Sequence, residues 1–175
     1  VDVIEEVLRI YGFNKVLIPS TIHTAIAFGE QPAPQYIRNL AGSYLTSVGV
    51  HEMMALSLSE SRYYQDILPI ADEQLVYINN TSNIHLDVMR PTMLFSGLEA
   101  VVHNQNRQNA DLKLYEFGRT YRKSADASSF GYTEKEHLSV FLTGLQTAES
   151  WLQKPTKSDF YHLKTIVTNL LTRLG

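Results

Sequence analysis

Four stretches of the chain repeat their apolar residues at helical spacing. In residues 2–11, Ile4, Val7, Leu8 and Tyr11 fall on one face, with Asp2, Glu5, Glu6 and Arg9 on another. This predicts an amphipathic helix stopped by Gly12. Residues 34–48 carry the most regular stripe, Ile37, Leu40, Ala41, Tyr44, Leu45 and Val48, with Gly49 as the stop. A third helix opens at Arg90-Pro91-Thr92-Met93-Leu94 and closes at Asn104-Gln105-Asn106-Arg107, with Pro91 suited to its first position. A fourth begins near Ser158 and buries Phe160, Leu163, Val167, Leu170, Leu171 and Leu174 on one face.

Alternation marks the strands. Residues 50–58 set Met54, Leu56 and Leu58 against Met53, Ala55 and Ser57. A short polar helix over 59–67 and a brief strand at Leu75–Ile78 follow. Asn79 to Asn83 form a turn cluster. Residues 112–122 read as a long strand, and its expected partner is Leu138–Leu145, beyond a loop over Ser124–Thr133. Residues 13–32, with Pro19 and a Gly29-Glu30-Gln31-Pro32 turn, read as a linker. Antiparallel strands with helices between them predict an α+β fold, an antiparallel sheet flanked by helices.

Composition narrows the classes. A chain of 175 residues, 44% of them hydrophobic, suits one ordinary domain or one domain and part of another. A net charge of −3 argues against a dominant nucleic-acid footprint, DNA included. The absence of cysteine removes disulfides, thiol catalysis and Cys-type zinc sites. No apolar run approaches the ~20 residues of a membrane span, so no membrane partner is expected and the default location is cytoplasmic. The chain opens inside a helical pattern without an initiator Met, which reads as a piece of a longer protein.

Several residues are candidates for chemistry or assembly. Asp2, Glu5 and Glu6 share a helical face, and such oxygen-rich clusters hold Mg²⁺ or Ca²⁺. The alternative is a helix N-terminus made acidic for its macrodipole, with Arg9 paired to Glu5 or Glu6, and the residues alone favour it. On the long strand, Glu116, Gly118, Thr120 and Arg122 share one face, and Tyr115, Phe117, Arg119 and Tyr121 the other. These charges line a binding cleft, with arginine as a phosphate or carboxylate fork, or form an internal Glu–Arg network that fixes register; networks are the commoner case. The stripe of 34–48 packs on the molecule's own sheet, or Tyr36 and Tyr44 anchor a subunit interface. Trp151, the single tryptophan, reads as a core plug. The six histidines have no metal-ligand spacing, and no nucleophile elbow or glycine-rich phosphate loop is present.

Four motifs in order give a resemblance across essentially the whole chain. They are Asp2 to Gly12, then Arg90 to Leu94 with Gly97-Leu98 and Asn104 to Arg107, then Leu114-Tyr115-Glu116-Phe117-Gly118-Arg119, and last Trp151 with Asp159 to Lys164. Together they resemble the central region of the β subunits of bacterial phenylalanine–tRNA ligases. The resemblance implies residues 1–14 as the final helix of a small preceding domain and 15–33 as a linker. It implies 34–175, with Arg90 among its characteristic residues, as a class II aminoacyl-tRNA synthetase core that is truncated at its C-terminal end. It also implies a catalytically silent module that scaffolds the α subunit in an (αβ)₂ enzyme joining phenylalanine to tRNA(Phe) with ATP. A Mg²⁺ site on the first helix is implied too, with Asp2, Glu5 and Glu6 at matching positions and a further ligand upstream of Val1. No catalytic residue is expected here, nor any cofactor bound by this piece alone.

One residue argument supports silence. Active class II enzymes grip the α-phosphate of ATP with a Phe-Arg-x-Glu strand; here Tyr121-Arg122-Lys123-Ser124 keeps the arginine and puts serine where the acid stands. A second departure is Asn79-Asn80-Thr81-Ser82, where the family has Asn-Pro ahead of the serine. Two other readings remain. Arg122 and Glu116 would also suit an active ATP-dependent adenylate-forming paralogue, and a nucleic-acid-binding module is a weaker third.

Overall fold

A long β-hairpin carries the larger part of the molecule. The computed structural model describes residues 2–17, 20–21, 33–68, 70–80, 83–124 and 131–175. The chain divides into two compact units, Val1–Pro32 and Ala33–Gly175.

In the first unit, α1 (Asp2–Tyr11) forms as its period predicts and buries none of its residues. Gly12 takes φ 96° and its N–H bonds the Leu8 carbonyl at 2.8 Å, so the helix ends where a residue with a Cβ would be strained. A single 3₁₀ turn follows at Phe13–Lys15. The turn expected at Gly29–Pro32 and Pro19 lie outside the described residues.

The second unit opens with α2 (Pro34–Ser47), whose proline sits in the first turn, where its missing N–H costs nothing. Then come β1 (His51–Glu52), β2 (Leu58–Ser59), α3 (Arg62–Asp66), β3 (Val76–Tyr77), β4 (Val88–Met89), α4 (Leu94–Gln105), β5 (Lys113–Lys123), β6 (Tyr132–Leu142), β7 (Leu145–Thr147), β8 (Thr156–Lys157) and α5 (Phe160–Leu174). β5 and β6 pair antiparallel without a break, from Lys113 opposite Leu142 to Lys123 opposite Tyr132. β1 lies on the other edge of β5 and runs parallel to it. A second sheet has the order β2-β4-β3, and β7 pairs β8.

The α+β class holds, but the antiparallel description holds only in part, because β1 is parallel and the strands fall into small sheets. The strand expected over 50–58 is two short pieces. Between them the backbone bonds outside a ladder: Met53 N–H to the Tyr115 carbonyl at 2.8 Å, and Ala55 N–H to Glu116 Oε1 at 3.2 Å. The partner of the long strand begins at Tyr132, six residues before the expected Leu138, since polar residues 132–137 extend an exposed arm of the hairpin. Of the loop placed at Ser124–Thr133, residues 125–130 lie outside the described ones. Pro91 precedes α4 by three residues and is not its first position, and the short polar helix spans only 62–66.

Each face of the hairpin packs on helices. Tyr115, with Phe117, Leu138, Val140 and Leu142 beside it, joins Ala41, Tyr44, Leu45, Val50, Ile166 and Leu170 in a core under α2 and α5. On the opposite face α4 comes so close that a Cβ on Gly97 would stand 2.0 Å from Cζ of Phe141. A smaller cluster joins Tyr64, Leu75, Val88 and Phe95, where burial pushes the Tyr64 phenol up from its ordinary range. Asp159 caps α5, its Oδ1 accepting from His162 N–H at 2.8 Å. Asp159→Ala is expected to cost about 1 kcal/mol in urea unfolding.

Candidate functional site

The charged residues of β5 separate into three environments. Glu116 is buried and meets Arg90, which is 2% exposed. Arg90 Nη2 donates to Glu116 Oε1 at 2.9 Å and Nη1 to Oε2 at 3.3 Å, a fork on both carboxylate oxygens. Two further donors are used: Nε reaches the Arg119 carbonyl at 3.0 Å and Nη1 reaches Ser96 Oγ at 3.0 Å. The Arg90 backbone joins in, its N–H on Ser57 and its carbonyl accepting from Tyr121 N–H. One ion pair thereby ties the 53–57 segment, the entrance of α4 and β5 together. A Cβ on Gly118 would lie 2.1 Å from Arg90 Nη2, so the glycine makes room for the guanidinium. The pair is a closed structural network.

Arg119 faces the other side. It donates to Glu134 at 3.1 Å and to Glu136 at 3.1 Å, both on β6. The Glu136 hydrogen bond, then the charge of Glu134, raises its pKa further above an already high value. This exposed fork spans the hairpin across its unbroken ladder. Glu116 is thus paired by Arg90 from outside the strand, and not by an arginine of β5 as the internal network read from the strand would have it.

Arg122 stands elsewhere. Its Nη1 donates to the neutral amide oxygen of Gln74 at 3.2 Å. It lines a cleft of about 580 Å³ between β5–β6 and the 91–94 segment, together with Thr120, Thr133, Lys135 and His137. Thr120 Oγ1 lies 2.8 Å from His137 Nε2. Sequence reading missed Lys135 and His137. The register would have found them: Lys135 is opposite Thr120 and His137 opposite Gly118, so both share Arg122's face.

The α2 candidates part company. Tyr36 is 61% exposed and free to meet another surface, whereas Tyr44 is buried in the core. Tyr44 is therefore corrected from interface anchor to core residue: its place in the inward stripe decides, with Arg173 5.5 Å from its ring. Ile37 stays 44% exposed, and Met54 and Leu56 turn outward at 95% and 65%. Ile37 and Met54 line a groove of about 750 Å³ beside α2, together with Phe117 and Leu138. Trp151 is corrected as well. It is 95% exposed in the segment between β7 and β8 and plugs no core.

On α1, Arg9 takes the acids for itself, Nη1 to Glu6 at 2.9 Å and Nη2 to Glu5 at 3.7 Å. Among the described residues no three acidic or histidine side chains converge as a metal site. Asp2, Glu5 and Glu6 as placed here do not fit a Mg²⁺ ion by themselves. No helix among the described residues is long and apolar enough to cross a membrane.

Comparisons with known proteins agree with this layout. The solved structure of an ATP phosphoribosyltransferase regulatory subunit/histidyl-tRNA synthetase from Bacillus halodurans is similar in fold, with a TM-score of 0.57, 19% identity, and coverage of 88% of this chain and 39% of that one. A pyrrolysyl tRNA synthetase structure, PylSc of Desulfitobacterium hafniense, gives a TM-score of 0.53 at 16% identity, covering 83% and 46%. Among curated proteins, the phenylalanine–tRNA ligase beta subunit of Bacteroides thetaiotaomicron is 39% identical over 99% of this chain and 22% of its own length. That of Porphyromonas gingivalis is 31% identical over 100% of this chain and 22% of its own. The chain thus spans about a fifth of the relatives it matches. A family model described as the phenylalanyl tRNA synthetase beta chain CLM domain matches residues 18–175, and the chain belongs to that family.

Proposed function

We propose that this chain is a non-catalytic module of a phenylalanine–tRNA ligase β subunit. Its class II synthetase-like core, residues 34–175, holds the catalytic α subunit in a cytoplasmic (αβ)₂ enzyme that joins phenylalanine to tRNA(Phe). One observation carries the reading: the carboxylate on the hairpin that would suit nucleotide chemistry, Glu116, is buried and consumed by Arg90, and among the described residues no carboxylate forms an ion pair with Arg122. A strand in this state keeps its geometry and lacks the paired acid and base that activation needs. The outward apolar residues Tyr36 and Ile37 of α2, with Met54 in the same groove as Ile37, supply a surface for holding a partner.

Two measurements test it. The chain is expected to give no ATP–pyrophosphate exchange with phenylalanine; exchange above background would favour the active paralogue instead. It is also expected to co-purify with a phenylalanine–tRNA ligase α subunit. Ile37→Asp should weaken that association at least tenfold, since a charge placed at the centre of an apolar contact costs more than 1.4 kcal/mol. Unchanged retention of the Ile37→Asp chain would move the interface away from α2.

A further inference from the structure

Of the four methionines in the chain, one stands apart. Met93 is 3% exposed, Met53 and Met89 are half-buried, and Met54 is 95% exposed. The neighbours of Met54 enforce its position. Met53 N–H bonds the Tyr115 carbonyl at 2.8 Å, and Ala55 N–H bonds Glu116 Oε1 at 3.2 Å. Glu116 is itself buried and held by Arg90, whose N–H takes the Ser57 carbonyl at 2.9 Å. The backbone is thus fixed on both sides of Met54, and turning its Cβ inward would break these bonds. The side chain instead joins Ile37, Phe117 and Leu138 in one groove, an apolar surface with a thioether in it. Accessible thioethers react with peroxides, and the product is a polar side chain in place of a flexible apolar one.

We propose that Met54 is an oxidation site through which peroxide lowers the hold on the α subunit. The effect on binding rests on the reading of this groove as the partner-holding surface; the reactivity of Met54 does not. The sulfur lone pair attacks one oxygen of hydrogen peroxide, the O–O bond breaks and an S–O bond forms. The departing oxygen takes up the protons and leaves as water, so the sulfur is oxidised and the peroxide reduced. The free chain is the form that reacts, because a bound partner covers the groove. A sulfoxide oxygen brought into an apolar contact gives up its water and gains no donor, which disfavours association.

Dilute hydrogen peroxide is the probe. Peptide mass spectra, with fragmentation to separate Met54 from Met53, should show Met54 gaining the mass of one oxygen first and Met93 last. Prior binding of a phenylalanine–tRNA ligase α subunit should slow the gain at Met54. The treated chain should be held by the α subunit about tenfold more weakly, the loss expected of one unpaired polar group inside the contact. Methionine sulfoxide reductases should restore the hold. Met54→Leu, whatever its own affinity, should be held equally before and after treatment. Oxygen uptake spread evenly over the methionines, equal uptake in free and bound chain, or a treated Met54→Leu chain that loses affinity as the unaltered one does would each overturn the proposal. Full retention of the chain oxidised at Met54 overturns it too. If Ile37→Asp still weakens association in that assay, the groove keeps its partner-holding role; if Ile37→Asp has no effect, that reading falls as well.

Discussion

Replacing Glu116 by alanine is expected to destabilise the fold by about 3–5 kcal/mol, because it strands the Arg90 guanidinium, 2% exposed, without its counter-ion. Charge deletion is only part of the effect. The carboxylate also accepts from Ala55 N–H at 3.2 Å, so the 53–57 segment loses one of its hydrogen bonds to β5 and keeps that of Met53 N–H to the Tyr115 carbonyl. Urea unfolding followed by circular dichroism measures the change as a fall in midpoint. The double variant Arg90→Met with Glu116→Leu should recover much of the loss, since well-packed apolar groups often replace a buried pair with little penalty. A double variant no better than the single one would mean that the hydrogen bonds to Ser96 and the Arg119 carbonyl matter more than the charge pair. Stability losses of this size are a large fraction of an ordinary domain's total.

The second large effect is expected at Leu45. It is fully buried, at 0% exposure, between α2, the hairpin and α5. Leu45→Ala should cost about 2–5 kcal/mol, depending on how far the helices close over the void. Ile37→Ala on the same helix, at 44% exposure, should cost well under half of that. Thermal melts of the two variants side by side provide the check. Equal losses would show that the outward side of α2 is as tightly packed as the inward side, and would remove the apolar surface proposed to hold a partner.

Helices were far more legible than strands. α1, α2 and α5 each repeat apolar residues over several turns, so a shift of one or two residues leaves the period readable. Residues 50–58 alternate too, but alternation does not say whether a neighbour lies beside the whole run. There the neighbour pairs only with His51 and Glu52, after which Met53 N–H takes the Tyr115 carbonyl and Ala55 N–H a side-chain oxygen of Glu116. The lower arm of β6 is polar on both sides, so nothing in Tyr132–His137 announces a strand until its mate is known. The site behaved the same way. That Glu116 needed a cationic partner was evident from its place on a strand. That Arg90 would provide it was not, because the two are 26 residues apart and meet only after α4 has turned the chain back. Trp151 shows the reverse: a large apolar ring implies burial, and only the path of the β7–β8 connection places it in solvent. Tyr36 and Tyr44 are two turns apart on one helix, yet the core takes the second and leaves the first outside.

The parallel pairing of β1 with β5 bears on how the molecule reaches its native state. His51 must find Leu114, and everything from α3 to α4 lies in the intervening span. The β5–β6 hairpin is local and assembles early by comparison. Docking β1 along its free edge waits for a distant segment to be made and ordered, which places refolding among the slower, milliseconds-to-seconds topologies. During synthesis, α2 and β1 leave the ribosome well before their sheet exists, and for that interval the Leu45 side of α2 has nothing to rest against.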